Sequence, residues 1–200
     1  MVKGDQFNPD DLLKPRNMLR LYASGAFPMA DVDTGEINWY LPDVRTVIPL
    51  DNYNIPRSLK KFISQSDFEV RFDYDFLKVV KGCADRDKTW ISDRLIKAYQ
   101  KLKELGYVHT VETWEKNKLI GGLYGITYKG AFFGESMFSK VPQASKFALV
   151  KLIEHLNANG FAMLDVQYLT EHLKMFGAKE ISFAEYDRLL HISYSRDCTF

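Results

Sequence analysis

One carboxylate stands in an unusual place in this sequence. Glu135 follows Gly134 in the largely apolar run Phe132-Phe133-Gly134-Glu135-Ser136-Met137-Phe138. A glycine inside a strand often marks the approach of another molecule to the backbone. A carboxylate among aromatic residues needs either a partner or a cationic ligand. The alternative is that Glu135 points to solvent from a strand with one exposed face.

A second polar group closes the apolar run at residues 161–166. Alternation along a strand puts Asp165 and Gln167 on one face and Val166 on the other. Such an aspartate serves either in catalysis or as a hydrogen-bond acceptor for a neighbouring helix. Three glycines in Gly121-Gly122-Leu123-Tyr124-Gly125 predict a bulge or a close approach, or else a strand kinked for packing.

Several common chemistries do not fit the sequence. No histidine lies at metal-ligand spacing from another His or Cys, so we expect no metal. Ser136 and Ser139 have no local histidine partner, and the motifs Gly-x-Ser-x-Gly and Walker A do not occur. The predicted helix at residue 144 is entered through residues 140–146, which contain no glycine, and this argues against coenzyme A as the acyl donor.

Composition limits the compartment and the partners. No run approaches the roughly 18 apolar residues that cross a membrane, and residues 1–9 do not resemble a signal peptide. Cys83 and Cys198 form no disulfide pattern, so we expect a reducing, cytoplasmic setting. The net charge of +1 predicts that nucleic acid is held only locally. Candidates for a basic patch are Arg57, Lys60, Lys61, Arg86 and Lys88.

Hydrophobic periodicity predicts an α+β protein with an acetyltransferase-like, or GNAT-like, order of elements. That order is an antiparallel meander of three strands, a long amphipathic helix and a further strand, in a mixed sheet flanked by helices. We expect a small N-terminal domain at residues 1–42 and the catalytic domain at 43–200. Predicted helices are 10–25, 58–64, 75–84, 92–105, 144–159 and 168–176, predicted strands are 37–40, 46–50, 68–72, 107–114, 118–128, 131–138 and 161–166, a loop covers 25–29, and a strand and helix share 180–191.

Six segments together resemble the leucyl/phenylalanyl-tRNA–protein transferase family, from about residue 15 to residue 190. Gly-Glu-Ser-Met-Phe-Ser is the most specific of them, and the others are weak alone but strong in combination. They are Gly25-Ala26-Phe27-Pro28, Thr89-Trp90-Ile91, Gly121-Gly122-Leu123-Tyr124-Gly125, Phe133-Gly134-Glu135-Ser136-Met137-Phe138-Ser139, Ala144-Ser145-Lys146 and Asp165-Val166-Gln167.

The resemblance implies a two-part enzyme and a reaction. The enzyme moves leucine, or phenylalanine or methionine, from the acceptor end of charged tRNA to proteins that begin with Lys or Arg, which marks them for N-terminal-rule degradation. We expect no cofactor, because aminolysis of an aminoacyl ester is already downhill, and we expect a monomer. Two alternatives remain: a related transferase with another donor or acceptor, and a non-catalytic module that binds tRNA or degrons.

The resemblance also implies roles for individual residues. Asp165 and Gln167 match the family's catalytic pair, and Glu135 matches an active-site carboxylate. Met29 stands where the family usually has a tryptophan, which softens one wall of the nucleotide site. Residues implied around the terminal adenosine are Trp90, Tyr22, Met29 and Gly134, and those implied for the amino-acid side chain are Leu123, Phe132, Met137, Leu149, Leu152, Leu156 and Leu164.

Two mechanisms fit these residues. A glutamine amide takes up no proton near neutral pH, so Gln167 orients the amine and Asp165 has the base character. In the alternative, a ribose hydroxyl of the tRNA relays the proton and the protein only positions the substrates. The apolar pocket favours unbranched or γ-branched side chains over Ile and Val, although an apolar stripe such as Leu149, Leu152 and Leu156 is usually plain core.

Overall fold

A computed structural model describes residues 9–200. The signal-peptide prediction concerns residues 1–9 and lies outside that range except for Pro9. Within residues 9–200, a 3₁₀ turn at Pro9–Leu13 precedes helices α1 Pro15–Ala23, α2 Arg57–Gln65, α3 Phe76–Ala84, α4 Asp93–Glu104, α5 Ala144–Ala158, α6 Glu171–Lys174 and α7 Phe183–Tyr194, and the strands are β1 Phe27–Ala30, β2 Ile37–Tyr40, β3 Val44–Ile48, β4 Glu69–Phe72, β5 Val108–Glu115, β6 Lys118–Tyr128, β7 Ala131–Ser139, β8 Met163–Gln167 and β9 Lys179–Ser182.

The central sheet has seven strands in the order β4-β5-β6-β7-β8-β3-β9. Strands β7 and β8 are parallel, and every other neighbouring pair is antiparallel. Helix α5 connects the two parallel strands, as a crossover between parallel strands requires. The meander, the helix and the parallel strand confirm the predicted acetyltransferase-like order.

Helices cover both faces of the sheet, so the core has two parts. One part packs α1, α3, α4 and α7 against the sheet, and the other packs α2, α5 and α6 against the opposite face. Helix α5 is more enclosed than the predicted amphipathic helix, because nine of its fifteen residues are buried. In residues 9–200, no helix has both the length and the apolar character needed to cross a bilayer.

The first elements of the chain form a small unit beside the sheet. Strands β1 and β2 pair only with each other, as a two-stranded ribbon. Met18 and Tyr22 of α1 and Phe27 of β1 nevertheless lie in the core that α3 and α4 share with the sheet. The expected domain boundary at residue 42 stays a prediction.

Three segments differ from the sequence-based prediction. The expected loop at residues 25–29 contains β1, which tolerates Pro28 because a two-stranded ribbon leaves outward backbone groups unpaired. The helix expected from residue 10 begins at Pro15, whose missing N–H suits a first turn. The helix expected at 168–176 shrinks to α6, because Gln167 has φ of 58° and Thr170 caps the N-terminus of α6.

A bulge in β7 turns Glu135 toward α1 and α4. Tyr124 of β6 pairs with Ser136 and Gly125 pairs with Gly134, so Glu135 has no partner opposite it. The extra residue interrupts the alternation of the strand. Glu135 and Ser136 therefore face the same side of the sheet, and Glu135 accepts hydrogen bonds there from α1 and α4.

Strand β8 has a matching irregularity at its end. Thr46 of β3 pairs with Gln167 and Val47 pairs with Asp165, which leaves Val166 without a direct partner. Parallel pairing of β7 with β8 stops at the same level, at Phe133 and Asp165. Beyond that level the two strands separate, and both bulges lie at the opening.

We expect Gly125→Ala to destabilise the protein. A Cβ atom at Gly125 would lie 2.3 Å from Cε1 of Phe132 and 2.4 Å from the backbone oxygen of Phe133. Overpacking of this kind costs about 1–3 kcal/mol, which lowers Tm by roughly 2–12 °C in a chain of this size. Gly134→Ala is the matched control, since the nearest atom to its Cβ outside the adjoining residues would be the Asp165 backbone oxygen, at 3.4 Å. Equal Tm values for the two variants in calorimetry would contradict this account of β6.

Candidate active site at the separation of two parallel strands

A cavity of about 740 Å³ opens between β7 and β8 where their pairing ends. Its walls differ in character. One wall is aromatic, one is formed by apolar side chains from β6, β7, α5 and β8, and one carries polar side chains from the bulge of β7 and from the segment after α3. A single cavity therefore presents sites for a flat ring, an apolar side chain and polar groups.

Glu135 lies on the polar wall with both carboxylate oxygens hydrogen bonded. The Tyr22 hydroxyl donates to Oε1 at 3.0 Å, and the Tyr99 hydroxyl donates to Oε2 at 2.8 Å. The two hydroxyls are 3.1 Å apart. Burial raises the pKa of Glu135 to about 7, against the lowering effect of the two hydroxyls. Asp165 raises this pKa further and Arg45 lowers it, so Glu135 titrates near neutral pH.

Asp165 is tied into a buried ion pair. Arg45 donates from Nε to Oδ1 at 3.0 Å and from Nη2 to Oδ2 at 2.7 Å. The Tyr186 hydroxyl donates to Oδ2 at 2.7 Å, and the backbone N–H of Gln167 donates to Oδ1 at 2.9 Å. Asp165 is fully buried and does not line the cavity. Its carboxylate holds neighbouring groups in place and has no oxygen turned to the cavity.

Gln167 does reach the cavity. It is 8% exposed, lies in the cavity wall and adopts a left-handed backbone conformation with φ of 58°. This strained conformation is stabilised by the hydrogen bond from its N–H to Asp165. The side-chain Nε2 is buried without a hydrogen-bond partner in residues 9–200. An unpartnered amide at a cavity wall is ready to meet a substrate.

The aromatic wall comes from two distant parts of the chain. Phe27 and Met29 of β1 lie on it with Trp90, and the Ala30 N–H donates to the Trp90 carbonyl at 3.1 Å. Tyr168 packs edge-on against Phe27 at 5.7 Å. This wall offers flat surfaces that suit a nucleobase.

The apolar wall forms a pocket beside the bulges. Leu123, Met137, Leu149, Leu152 and Leu164 line it, as the sequence predicts. Leu173 of α6 completes the lining. The pocket suits a side chain without charge.

Besides Asp165, three predicted site residues lie behind the cavity wall and do not line it. Tyr22 is fully buried and acts through its hydrogen bond to Glu135. Phe132 and Leu156 are fully buried in the core next to the apolar pocket. Residues that line the cavity and residues buried behind them face the same side of a strand or helix. Sequence periodicity therefore cannot distinguish the two.

Three residues that were not predicted from the sequence also shape the site: Arg45 and Tyr186 hold Asp165, and Tyr99 holds Glu135. Arg86, expected only as part of a basic patch, donates from Nη2 to the Ser136 hydroxyl at 2.8 Å and to the Met137 carbonyl at 2.9 Å. Of the predicted basic patch, Arg86 alone lines this cavity. A usable signal was present for Tyr99, a hydroxyl on the apolar face of α4 four residues after buried Leu95.

Comparison with known proteins decides between the enzymes that such a cavity could serve. The family described as leucyl/phenylalanyl-tRNA protein transferase matches residues 47–191, and the N-terminal domain of that family matches residues 11–43. The chain belongs to this family. A leucyl/phenylalanyl-tRNA–protein transferase of Salinibacter ruber strain DSM 13855 / M31 is 48% identical over 182 residues, which cover 91% of this chain and 80% of the relative.

The solved structures that match this chain have much lower sequence identity to it. A C-terminal DUF2156 domain from Agrobacterium fabrum has 11% identity and a TM-score of 0.44, over 76% of this chain and 52% of the other. L-PGS from Bacillus licheniformis has 13% identity and a TM-score of 0.43, over 80% of this chain and 55% of the other.

Family membership confirms the predicted activity. This transferase is an aminoacyltransferase that uses aminoacyl-tRNA and protein substrates and transfers the aminoacyl group to protein N-termini. The aminoacyl-tRNA donor combines a nucleobase with an amino-acid side chain. The cavity has an aromatic wall and an apolar wall that suit these two groups.

We expect Glu135→Gln to change how stability depends on pH. The folded pKa of Glu135 is raised to about 7 by burial, with Tyr22, Tyr99, Asp165 and Arg45 facing the carboxylate. A raised folded pKa contributes stability below the unfolded pKa of roughly 4.3 that is lost as pH rises through the folded pKa. The glutamine of the variant cannot ionise. The free energy of unfolding of the variant, relative to that of wild type, should therefore rise by about 3 kcal/mol from pH 4 to pH 8.

Urea unfolding of both proteins from pH 4 to pH 8 measures this difference. Curves of unfolding free energy that stay parallel over this range would show that Glu135 does not titrate near neutral pH.

Proposed function

We propose that this transferase moves leucine, phenylalanine or methionine from charged tRNA to proteins that begin with Lys or Arg. The products enter N-terminal-rule degradation, which is the role of the family. The observation that carries the acceptor class is the Glu135 carboxylate on the polar wall of the cavity. A monomeric state and a cytoplasmic location stay predictions.

The donor end of the tRNA fits the aromatic and apolar walls. We place the terminal adenosine against Trp90, with Phe27 and Met29 as neighbours, and Gly134 lets the substrate come close to the backbone. Stacking of a base on an aromatic ring contributes about 1–3 kcal/mol. Met29 offers a polarisable but non-planar surface, so Trp90 carries most of the stacking. The leucyl side chain then enters the pocket lined by Leu149 and Leu152.

The acceptor fits the polar wall. An N-terminal Lys or Arg brings a cationic side chain besides its terminal amine, and the ionised carboxylate of Glu135 attracts both. An N-terminal Asp would place a second negative charge beside Glu135. Charge therefore selects basic acceptors, and the cavity leaves this side free when the donor occupies the other two walls.

The two carboxylates have different tasks in this proposal. Asp165 has its oxygens engaged by Arg45, Tyr186 and Gln167, so we assign it the positioning of Gln167. This replaces the base character that the sequence suggested for Asp165. Glu135, with a pKa of about 7 and a place in the cavity wall, is the carboxylate able to accept a proton near neutral pH.

The reaction proceeds by attack of the neutral acceptor amine on the ester carbonyl carbon. The C–N bond forms, the ester C–O bond breaks, and the tRNA leaves with its ribose oxygen. The proton lost by the nitrogen ends on that oxygen, carried by Glu135 or by the neighbouring ribose hydroxyl. Gln167 donates from its unpartnered Nε2 to the ester carbonyl oxygen, on which negative charge develops, and a fixed geometry lowers the entropic cost of the bimolecular step.

We expect labelled leucyl-tRNA to transfer leucine to peptides that begin with Lys or Arg. Peptides that begin with Asp or Ala should react at least roughly tenfold more slowly, since hydrogen bonds to charged groups contribute about 1.5–3 kcal/mol. Initial rates with otherwise identical peptides provide the measurement. Equal rates with Lys and Asp peptides would exclude selection by Glu135.

Gln167→Ala and Asp165→Asn should separate chemistry from positioning. We expect Gln167→Ala to lower kcat by about a hundredfold, with KM for leucyl-tRNA and Tm nearly unchanged. Asp165→Asn should lower kcat and also lower Tm by roughly 10 °C, because it leaves Arg45 unpaired in the interior. Steady-state kinetics with calorimetry tests both. An Asp165→Asn protein with wild-type Tm would contradict the structural role of the ion pair.

A further inference from the structure

A third tyrosine hydroxyl lies near Glu135 and has no hydrogen-bond partner in the part of the chain that the structure describes. Tyr124 of β6 is fully buried, and its ring packs edge-on against Tyr99 at 5.5 Å and against Phe76 at 6.3 Å. Its hydroxyl makes no hydrogen bond to any atom of residues 9–200. The hydroxyls of Tyr22 and Tyr99, by contrast, are both bonded to Glu135.

An unpaired buried hydroxyl is costly to a fold. Leaving such a group unsatisfied destabilises the folded state, and phenylalanine would fill the same space without that cost. Most buried polar groups in proteins are paired, so an exception calls for a function. Tyr124 lies in the wall of the cavity, where a substrate can supply the partner.

The surroundings of this hydroxyl indicate which substrate atom it meets. Tyr124 pairs with Ser136 across the bulge, so it faces the same side of the sheet as Glu135. Its charged neighbours are Glu135 and Arg86. The donor's side chain is placed on the opposite side, in the pocket that includes Leu123, the residue next to Tyr124 on β6. The substrate group that comes to Tyr124 is therefore the acceptor's.

We propose that the Tyr124 hydroxyl oxygen accepts a hydrogen bond from the α-amino nitrogen of the acceptor and holds that nitrogen beside Glu135. This inference rests on the proposed placement of the acceptor at the polar wall. It does not depend on which acceptor side chain the enzyme prefers, since every protein acceptor presents an α-amine.

Glu135 and Tyr124 both accept hydrogen bonds from the α-amine, so its lone pair stays free to attack the ester carbonyl carbon. The positive charge of Arg86 nearby opposes a permanently protonated amine. The neutral amine is the form that attacks. Tyr124 is thus a substrate-binding residue that orients the nucleophile.

Tyr124→Phe tests this assignment, and Tyr128→Phe is the matched control. Tyr128 lies on the same strand but outside the cavity wall. The full-length variants are assayed with leucyl-tRNA and with whichever of the Lys, Arg and Ala peptides wild type modifies, and Tm is measured in parallel. We expect Tyr124→Phe to reduce kcat/KM for the peptide by about tenfold or more, mainly through KM.

The same variant should keep KM for leucyl-tRNA within roughly twofold of wild type, and its Tm should be equal or higher because an unpaired hydroxyl is removed. Tyr128→Phe should match wild-type kinetics. Unchanged peptide kinetics with a higher Tm would overturn the proposal, as would an equal rise of KM for both substrates. Loss of the Lys and Arg preference with a retained Tyr124 effect would refute only the proposed acceptor class.

Discussion

The buried ion pair of Arg45 and Asp165 joins the parts from which the site is built. Arg45 lies on β3 and Asp165 on β8, and Tyr186 of α7 donates to the same carboxylate. Arg45 also donates from Nη1 to the Gly25 carbonyl at 2.7 Å, just before β1. Its guanidinium carbon lies 4.6 Å from the Phe27 ring centroid and 4.8 Å from that of Tyr186. One side chain thus connects the aromatic wall, strand β8 and helix α7.

The ion pair has a particular energetic character. Removing one partner of a buried pair costs about 3–5 kcal/mol, whereas replacing both by well-packed apolar groups is often neutral. Its value here therefore lies in position more than in stability. Asp165 fixes the backbone of Gln167 in a left-handed conformation and so determines where the amide enters the cavity.

The two carboxylates of the site have different surroundings. Asp165 is hydrogen bonded to a guanidinium in the interior, while the Glu135 carboxylate accepts hydrogen bonds from Tyr22 and Tyr99, and burial raises the pKa of Glu135 to about 7. Titratable groups with such different surroundings are typical of sites that move a proton. Both positions arise at bulges, where β7 and β8 leave the regular ladder at the same level.

Much of this protein could be predicted from its sequence, because local patterns reflect local forces. Strand periodicity located the meander of β5, β6 and β7, helical periodicity at 92–105 located α4, and the segment Gly-Glu-Ser-Met-Phe-Ser indicated the family. The order of elements then predicted the acetyltransferase-like sheet. Local patterns also drew attention to Glu135 and Gln167, which lie at the cavity, because a polar group in an apolar run is visible in the sequence.

Only the tertiary structure decided which of those groups are free to react. Arg45 lies 120 residues from Asp165, and Tyr22 lies 113 residues from Glu135, so no local pattern links them. A bulge shifts alternation by one residue, and therefore period-two reasoning cannot tell which face Glu135 takes or that Val166 has no direct partner between Asp165 and Gln167. The sequence by itself determined the fold and the family; contacts between distant segments determined that Arg45, Tyr186 and Gln167 occupy the carboxylate oxygens of Asp165, that burial raises the pKa of Glu135 to about 7, and that the Tyr124 hydroxyl has no hydrogen-bond partner in residues 9–200.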